Sequence, residues 1–279
     1  MTKMNIRLVA TDLDGTFLKN DRSISRRNLD TLHLLGERGI VRVAATGRNL
    51  RKVHDVIPEE VPFDYIVYSS GAGIFDWQEK KHIFQQNIES GPASELSGYF
   101  REKNYNFSVF APAPDNHKLW FYKGGTECEE FNRFFTFHHE GSEALPLNGS
   151  FTEGLCQFLL IIPEDEQKFV ELKEEIESMS DQIRVIRSSS PVSNGYIWVE
   201  VFHREVSKGK GVKHLCDLLA IHPEETAGVG NDYNDLDLLE FTGFSFVAEN
   251  APDTIRSAYI KVPSNEEDAF YHAVQPMLD

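Results

Sequence analysis

The stretch "LVATDLDGTFL", residues 8–18, decides how this chain is read. An apolar run stops at two aspartates, Asp12 and Asp14, one residue apart, and Gly15 and Thr16 follow at once. Like charges that close repel, and a buried carboxylate without a partner is costly. Such a strand end predicts either a cation beside it or a solvated turn. Gly15 permits a tight turn, and the Thr16 hydroxyl can hydrogen-bond back into it.

The pattern around this stretch is strand–helix alternation. "IRLVA" (6–10) reads as a buried strand. "SISRRNLDTLHLLGERG" (23–39) reads as a helix, with Leu29, Leu32 and Leu35 on one face, Ser25 as N-cap and Gly39 as its stop. "IVRVAAT" (40–46) and "YIVYSSG" (65–71) read as strands around a helix at "RNLRKVHDVI" (48–57). The last third resumes the alternation, from helix "GKGVKHLCDLLA" through strands "TAGVG", "FSFVA" and "YIKV". This order predicts an α/β core with a parallel sheet covered by helices.

The middle reads differently. "KKHIFQQ", "NFSVFAP", "KLWFYK", "QFLLIIP", "QIRVIRS" and "GYIWVEVF" are six strand candidates, with helices near "ASELSGYFREK", "TECEEFNRFFTFHH" and "EDEQKFVELKEEIESM". In the last of these, Phe169, Leu172, Ile176 and Met179 recur at helical spacing, the mark of a core-facing stripe. An antiparallel α+β insert is expected, the chain leaving the core near residue 85 and returning near residue 204.

Bulk composition narrows the function. The 279 residues carry a net charge of −16, which disfavours nucleic acid and anionic membranes as partners, since both reward basic patches. No apolar run approaches the ~20 residues that span a bilayer, and the N-terminal stretch lacks the cleavage pattern of a signal peptide. Cys128, Cys156 and Cys216 are widely spaced and fall in no CxxC pattern, which suits a reducing cytoplasm rather than a disulfide or zinc framework.

Open parallel sheets bind ligands at the carboxyl ends of their strands. Four stretches fall there: Asp12–Thr16, Thr46–Arg48, Ser69–Gly73 and Gly230–Asp235, with Lys208 and Lys210 at the return from the insert. Carboxylates with an asparagine make a hard oxygen site that suits Mg²⁺, and such a cation resolves the repulsion between Asp12 and Asp14. It also lets an anionic nucleophile approach a phosphate. Asp12 can then attack phosphorus, Asp14 can protonate the leaving oxygen and later activate water, and Lys208 can neutralise the transferring group. Thr46 and the amide of Gly47 can hold phosphoryl oxygens.

Rival motifs fare worse. Placing Gly15 at position 6 of a calcium loop puts Ala10 at position 1 and Asp21 at position 12, where a glutamate is needed. "GAGIFD" (71–76) lacks the third glycine of a dinucleotide fingerprint, and no GxxxxGK[ST] occurs. His138 and His139 lie outside any HExxH motif.

DLDGT (12–16), ATGR (45–48), VSKG (206–209) and GNDYND (230–235), in that order, resemble the four motifs of the haloacid dehalogenase superfamily. The long insert is similar to the C2-type cap of its Cof-like, type IIB sugar-phosphatase branch. The resemblance implies a Rossmann-like core over 1–85 and 204–279 with a cap over 86–203, and Mg²⁺-dependent hydrolysis of a sugar phosphate through an aspartyl-phosphate. Carried onto matching positions, it makes Asp12 the nucleophile and Asp14 the acid/base. Thr46, Gly47, Lys208 and Asn234 would hold the phosphoryl group, and Asp12, Asp14, Asn231 and Asp235 the metal. It further implies a small phosphorylated metabolite as partner, a cytoplasmic location, and a monomer or homodimer. The cap would close over the site, with Trp120, Tyr122, Tyr196 and Trp198 as candidates to face it.

Two departures stand out. The family's fourth motif usually reads G-D-x-x-N-D, and here Asn231 holds the first aspartate's place. Either Asn231 ligates through its side-chain carbonyl or Asp232 takes over after a backbone shift; position favours Asn231. The family's usual Asn-Gly-Ala after the third strand is Ser70-Gly71-Ala72. The competing functions are a phosphotransferase or phosphosugar mutase on the same core, and a non-catalytic phospho-ligand-binding protein.

Overall fold

The computed structural model describes residues 5–125, 127–138, 142–144, 151–191, 193 and 195–278, and the structural statements below concern these. The expected His139 lies outside them. They form two compact units, Met1–Phe84 with Ser207–Asp279, and Gln85–Val206.

In the first unit, β1 (Leu8–Thr11) leads through α1 (Arg26–Glu37), β2 (Val41–Ala45) and α2 (Leu50–His54) to β3 (Tyr65–Tyr68), β4 (Gly73–Asp76) and β5 (Lys81–Gln85). All four residues of β1 are buried. Because successive side chains point to opposite faces, burial of the whole run requires cover on both. Leu8 and Ala10 pack with Val212 and Leu215 of a later helix on one face. Ser25 caps α1 as expected, its side chain accepting the N–H of Asn28.

The second unit begins with α3 (Ser90–Glu102) and continues through β6 (Phe107–Phe110), β7 (Leu119–Tyr122), α4 (Glu129–His138) and β8 (Ser142–Ala144). Then come β9 (Gln157–Pro163), α5 (Glu166–Met179), β10 (Ile183–Ser189) and β11 (Tyr196–His203). Its six-stranded sheet has the order β10-β11-β9-β6-β7-β8. Pairing is antiparallel except for β7 with β8, which is parallel. Leu96 and Phe100 of α3 and Phe169, Leu172 and Ile176 of α5 fill one face of it. Each such side chain contributes roughly 1.5–3 kcal/mol when fully buried.

The chain then returns to the first unit through α6 (Lys208–Leu219), β12 (Thr226–Gly230), α7 (Leu236–Phe241), β13 (Phe244–Ala248), α8 (Asp253–Arg256), β14 (Ile260–Val262) and α9 (Ala269–Leu278). The eight-stranded sheet runs β14-β13-β12-β1-β2-β3-β4-β5. The parallel sheet holds from β14 to β3, but β4 turns back antiparallel on β3. "KKHIFQQ", read from sequence as an insert strand, is the edge of this sheet instead. Its short alternating run does not reveal which sheet it will join. Strand order reverses between β1 and β12, the crevice where open α/β sheets take their ligands.

Candidate active site

Parallel register brings the motifs together. Thr11 pairs with both Val229 and Ala44, so the ends of β1, β2 and β12 lie side by side. Asp12 follows Thr11 directly, and its N–H still bonds the Val229 carbonyl at 2.9 Å. Gly15 turns the chain at φ +73°, a backbone that other residues rarely adopt. A Cβ there would lie 2.6 Å from the Asn231 amide, so the residue type also makes room for that side chain.

Lys208 is the pivot. It opens α6 and is 1% exposed, and its ammonium donates to Asp12 Oδ1 at 2.7 Å, Asp235 Oδ1 at 2.7 Å and Asn234 Oδ1 at 3.1 Å. The three protons of an ammonium are thereby matched by three acceptors. Burial works to depress the lysine, yet Asp12 and Asp235 outweigh it and hold the ammonium above its ordinary range. Burial pushes the Asp12 carboxyl up to about 8, against the pull of Lys208, and Asp235 and Asp14 add to the rise. One ammonium shared between two buried carboxylates leaves the cluster short of positive charge.

Asp235, expected among the metal-holding residues, is committed elsewhere. Its second oxygen accepts the N–H groups of Asn231 at 2.8 Å and Asp232 at 3.0 Å, while the first accepts Lys208. It fixes the loop and the lysine. Asp232 belongs to the same turn, its backbone carbonyl accepting the N–H of Asp235 at 3.0 Å. Asn231, not Asp232, stands against the first loop. One end of its amide lies 2.9 Å from the Asp14 carbonyl oxygen, 3.3 Å from Asp12 Oδ2 and 2.8 Å from Thr16 Oγ1.

Asp14 sends its carboxylate another way. Arg48 grips it in two parallel bonds of 2.6 Å, from Nε and Nη2, with half of the Asp14 side chain exposed. Burial pulls the Arg48 pKa down, and the bond and charge of Asp14 carry it above its usual value. The Arg48 N–H bonds Thr46 Oγ1 at 3.1 Å, which braces the ATGR turn from within. Sequence reasoning quoted Arg48 within ATGR but gave it no role. The sequence held no signal for it, because which carboxylate an arginine meets is set by the fold.

Ser70 is the other residue left without a role. Its φ of +53° follows Ser69 at +48°, so two non-glycine residues hold left-handed backbone just after β3. Strain of this kind concentrates at functional sites. Its hydroxyl is buried without a hydrogen-bond partner among the described residues, and it lies 3.7 Å from where a Cβ on Gly47 would stand. Thr46 itself is buried at the end of β2.

The donor set suits a hard cation. Asp12 Oδ2, the Asp14 carbonyl and an Asn231 amide oxygen are all oxygen donors, which Mg²⁺ prefers. Adjacent corners of an octahedron with 2.0–2.1 Å bonds are about 2.9 Å apart. The separations of 2.9 and 3.3 Å from the inner end of the Asn231 amide are close to that edge. With Asp235 turned to Lys208, no three His, Cys, Asp or Glu side chains gather as ligands among the described residues. The set is two carboxylate-loop oxygens plus an amide.

The aromatic candidates of the second unit divide. Trp120 and Tyr122 pack against the helix-covered core of their own sheet. Trp198 lies on β11 with its ring edge on Phe134 and its Nε1–H 3.3 Å from Glu130 Oε1. Tyr196, at the start of the same strand, is partly buried.

Comparison with known proteins places the chain in a family. Residues 9–274 match the model of the haloacid dehalogenase-like hydrolases. The phosphatase YwpJ of Bacillus subtilis is 26% identical over 98% of this chain and 100% of its own. The 5-amino-6-(5-phospho-D-ribitylamino)uracil phosphatase YwtE of the same organism is 23% identical over 98% of each chain. The solved structure of BT1666 from Bacteroides thetaiotaomicron, from a study of the superfamily's phosphatases, covers 99% of this chain and 96% of its own. It superposes with a TM-score of 0.80 at 18% identity, a likeness of fold. The chain belongs to the haloacid dehalogenase-like hydrolase family, among its phosphatases.

Proposed function

We propose that this protein is a Mg²⁺-dependent phosphatase that hydrolyses a small sugar phosphate through an aspartyl-phosphate on Asp12, with the Gln85–Val206 unit as its C2-type cap. The observation that carries the reading is the buried Lys208 ammonium, 2.7 Å from both Asp12 and Asp235, with Asp14 one residue beyond Asp12's neighbour. The phosphoribityl substrate in the name of the relative YwtE supports a sugar-like ester.

On this reading an Asp12 carboxylate oxygen attacks phosphorus, and the P–O bond to the alcohol breaks. Asp14 gives its proton to the departing oxygen. A carboxylate in two guanidinium bonds has no proton to give, so the Arg48 pair opens and Asp14 takes up a proton from solvent before this step. Water then attacks the phosphorus of the acyl phosphate while Asp14 takes the water proton, and phosphate leaves with Asp12 restored. Lys208 offsets part of the charge on Asp12, and Thr46, Gly47, Asn234 and the Ser70 hydroxyl line the place of the phosphoryl oxygens. Asp12, the Asp14 carbonyl and Asn231 would hold Mg²⁺. What Mg²⁺ supplies when bound is the positive charge that lets a carboxylate meet a phosphate anion.

The test is phosphate release from a panel of sugar, nucleotide and glycerol phosphates, with Mg²⁺ and with EDTA, for wild type and Asp12→Asn. Release that needs both the cation and Asp12, and is fastest for sugar phosphates, is the expected result. Transfer to an added alcohol or sugar in preference to water would favour the phosphotransferase reading instead.

A further inference from the structure

Asn231 poses a physical problem that its own amide resolves. With the oxygen turned inward, three acceptors crowd together: the amide oxygen, Asp12 Oδ2 at 3.3 Å and the Asp14 carbonyl at 2.9 Å. Only Thr16 Oγ1, at 2.8 Å, can donate to it. With the nitrogen inward, the same atoms at the same distances become acceptors, and the two N–H groups are shared among Asp12, Asp14 and Thr16. The two orientations have the same shape and differ by a half-turn about one bond. An inward oxygen is favourable only when a cation stands between the oxygens, and an inward nitrogen only when none does.

We infer that Asn231 is a two-position amide that closes the cation site with its nitrogen and opens it with its oxygen. This rests on the metal site of the proposed function and goes beyond it, because it concerns what the site does when empty. The nitrogen donates to two of the oxygens that would otherwise face the cation, so the free protein carries an internal substitute for it. The Thr16 hydroxyl serves both states, donating to the oxygen in one and accepting from the nitrogen in the other. Gly15 leaves room at the outer end, where a Cβ would lie within 2.6 Å of the amide.

An aspartate in this place has no donor to offer. It would set a third carboxylate against Asp12, in a cluster already short of positive charge, and would gain more from the cation. Asparagine therefore gives up affinity for Mg²⁺ in return for a free state without that repulsion.

The test reads binding and amide orientation without turnover. Mg²⁺ titrations by calorimetry on wild type, Asn231→Asp and Asn231→Ala are combined with nuclear magnetic resonance of the wild-type Asn231 side-chain NH₂. Ligand charge and second-shell contacts tune metal affinity by factors of this size, so Asn231→Asp should bind Mg²⁺ about tenfold more tightly and Asn231→Ala about tenfold more weakly. In EDTA, Asn231→Asp should melt below wild type, and the order should reverse in Mg²⁺. The NH₂ signals should be protected from solvent exchange in EDTA and exposed at saturating Mg²⁺. Saturation by Mg²⁺ with unmoved NH₂ signals, or an aspartate variant that binds no tighter, would overturn the inference and leave the phosphatase reading standing. A wild type that binds no Mg²⁺ at all would overturn the metal site as well.

Discussion

The two units each bury a carboxylate, and they keep it in opposite ways. Asp12, 5% exposed in the first unit, faces an ammonium, a second buried carboxylate and an amide. Glu130, fully buried on α4 of the second unit, is held by the Ser190 hydroxyl, the Ser193 hydroxyl at 2.6 Å and the Trp198 indole at 3.3 Å. Glu130 is matched to neutral donors and joins a helix to a strand and its turn. Asp12 stands in a cluster that leaves charge unbalanced. The difference teaches where to look for chemistry: a buried acid whose partners satisfy it is a clamp, and one whose partners leave it short is a site.

The largest expected effect comes from Lys208→Met. It strands Asp12 and Asp235 without their cation, and losing one partner of a buried pair costs about 3–5 kcal/mol. Denaturant unfolding in EDTA should show a loss of that order, and a variant as stable as wild type would break the comparison at its pivot. Glu130→Gln should be milder. It disturbs hydrogen bonds to neutral donors, worth about 1 kcal/mol, and should lower the melting temperature slightly while phosphate release stays within about twofold. Asp12→Asn should go the other way, since an amide removes a charge that burial opposes. In EDTA at pH 8 it should melt at or above wild type, although it abolishes turnover by roughly 10⁴-fold or more.

The smallest effect concerns an exposed pair and bounds the scale. The backbone bond from His222, and then Arg7, hold the Glu225 carboxyl below its ordinary value. A depressed pKa stabilises the fold above the unfolded-state value, and that contribution is lost as pH falls through the folded one. Glu225→Gln should therefore lower the melting temperature slightly at neutral pH, flatten its decline on the acid side, and match wild type once the carboxyl is protonated in both the folded and unfolded states. A larger shift in acid than at pH 7 would contradict it.

How much of this was legible in the sequence depends on what fixes each element. Burial of β1, β2 and β12 shows as apolar runs, and Ser25 shows as a cap, because both are local. The place of Lys81–Gln85 does not show, since which sheet an edge strand joins is decided by partners far along the chain. The parallel β8 and the turn of β4 against β3 are likewise pairing choices that no local pattern encodes. At the site, the residue types and their order pointed to the cluster. What each carboxylate faces was not readable: Asp235 is spent on Lys208 and its own loop, and Asp14 on Arg48. Trp120 and Tyr122 alternate like binding residues but lie on the face that their own helices cover.

The most direct test of the central claim is to catch the phosphoryl group on Asp12. Wild-type protein mixed with a turned-over sugar phosphate and Mg²⁺ is quenched in acid within the first turnover, and its peptides are weighed. The account predicts that the peptide holding Asp12 gains the mass of one phosphoryl group, and that Asp12→Asn shows no such gain. Turnover at full rate with that peptide unchanged at every quench time, or a phosphoryl group on any other residue, would contradict it.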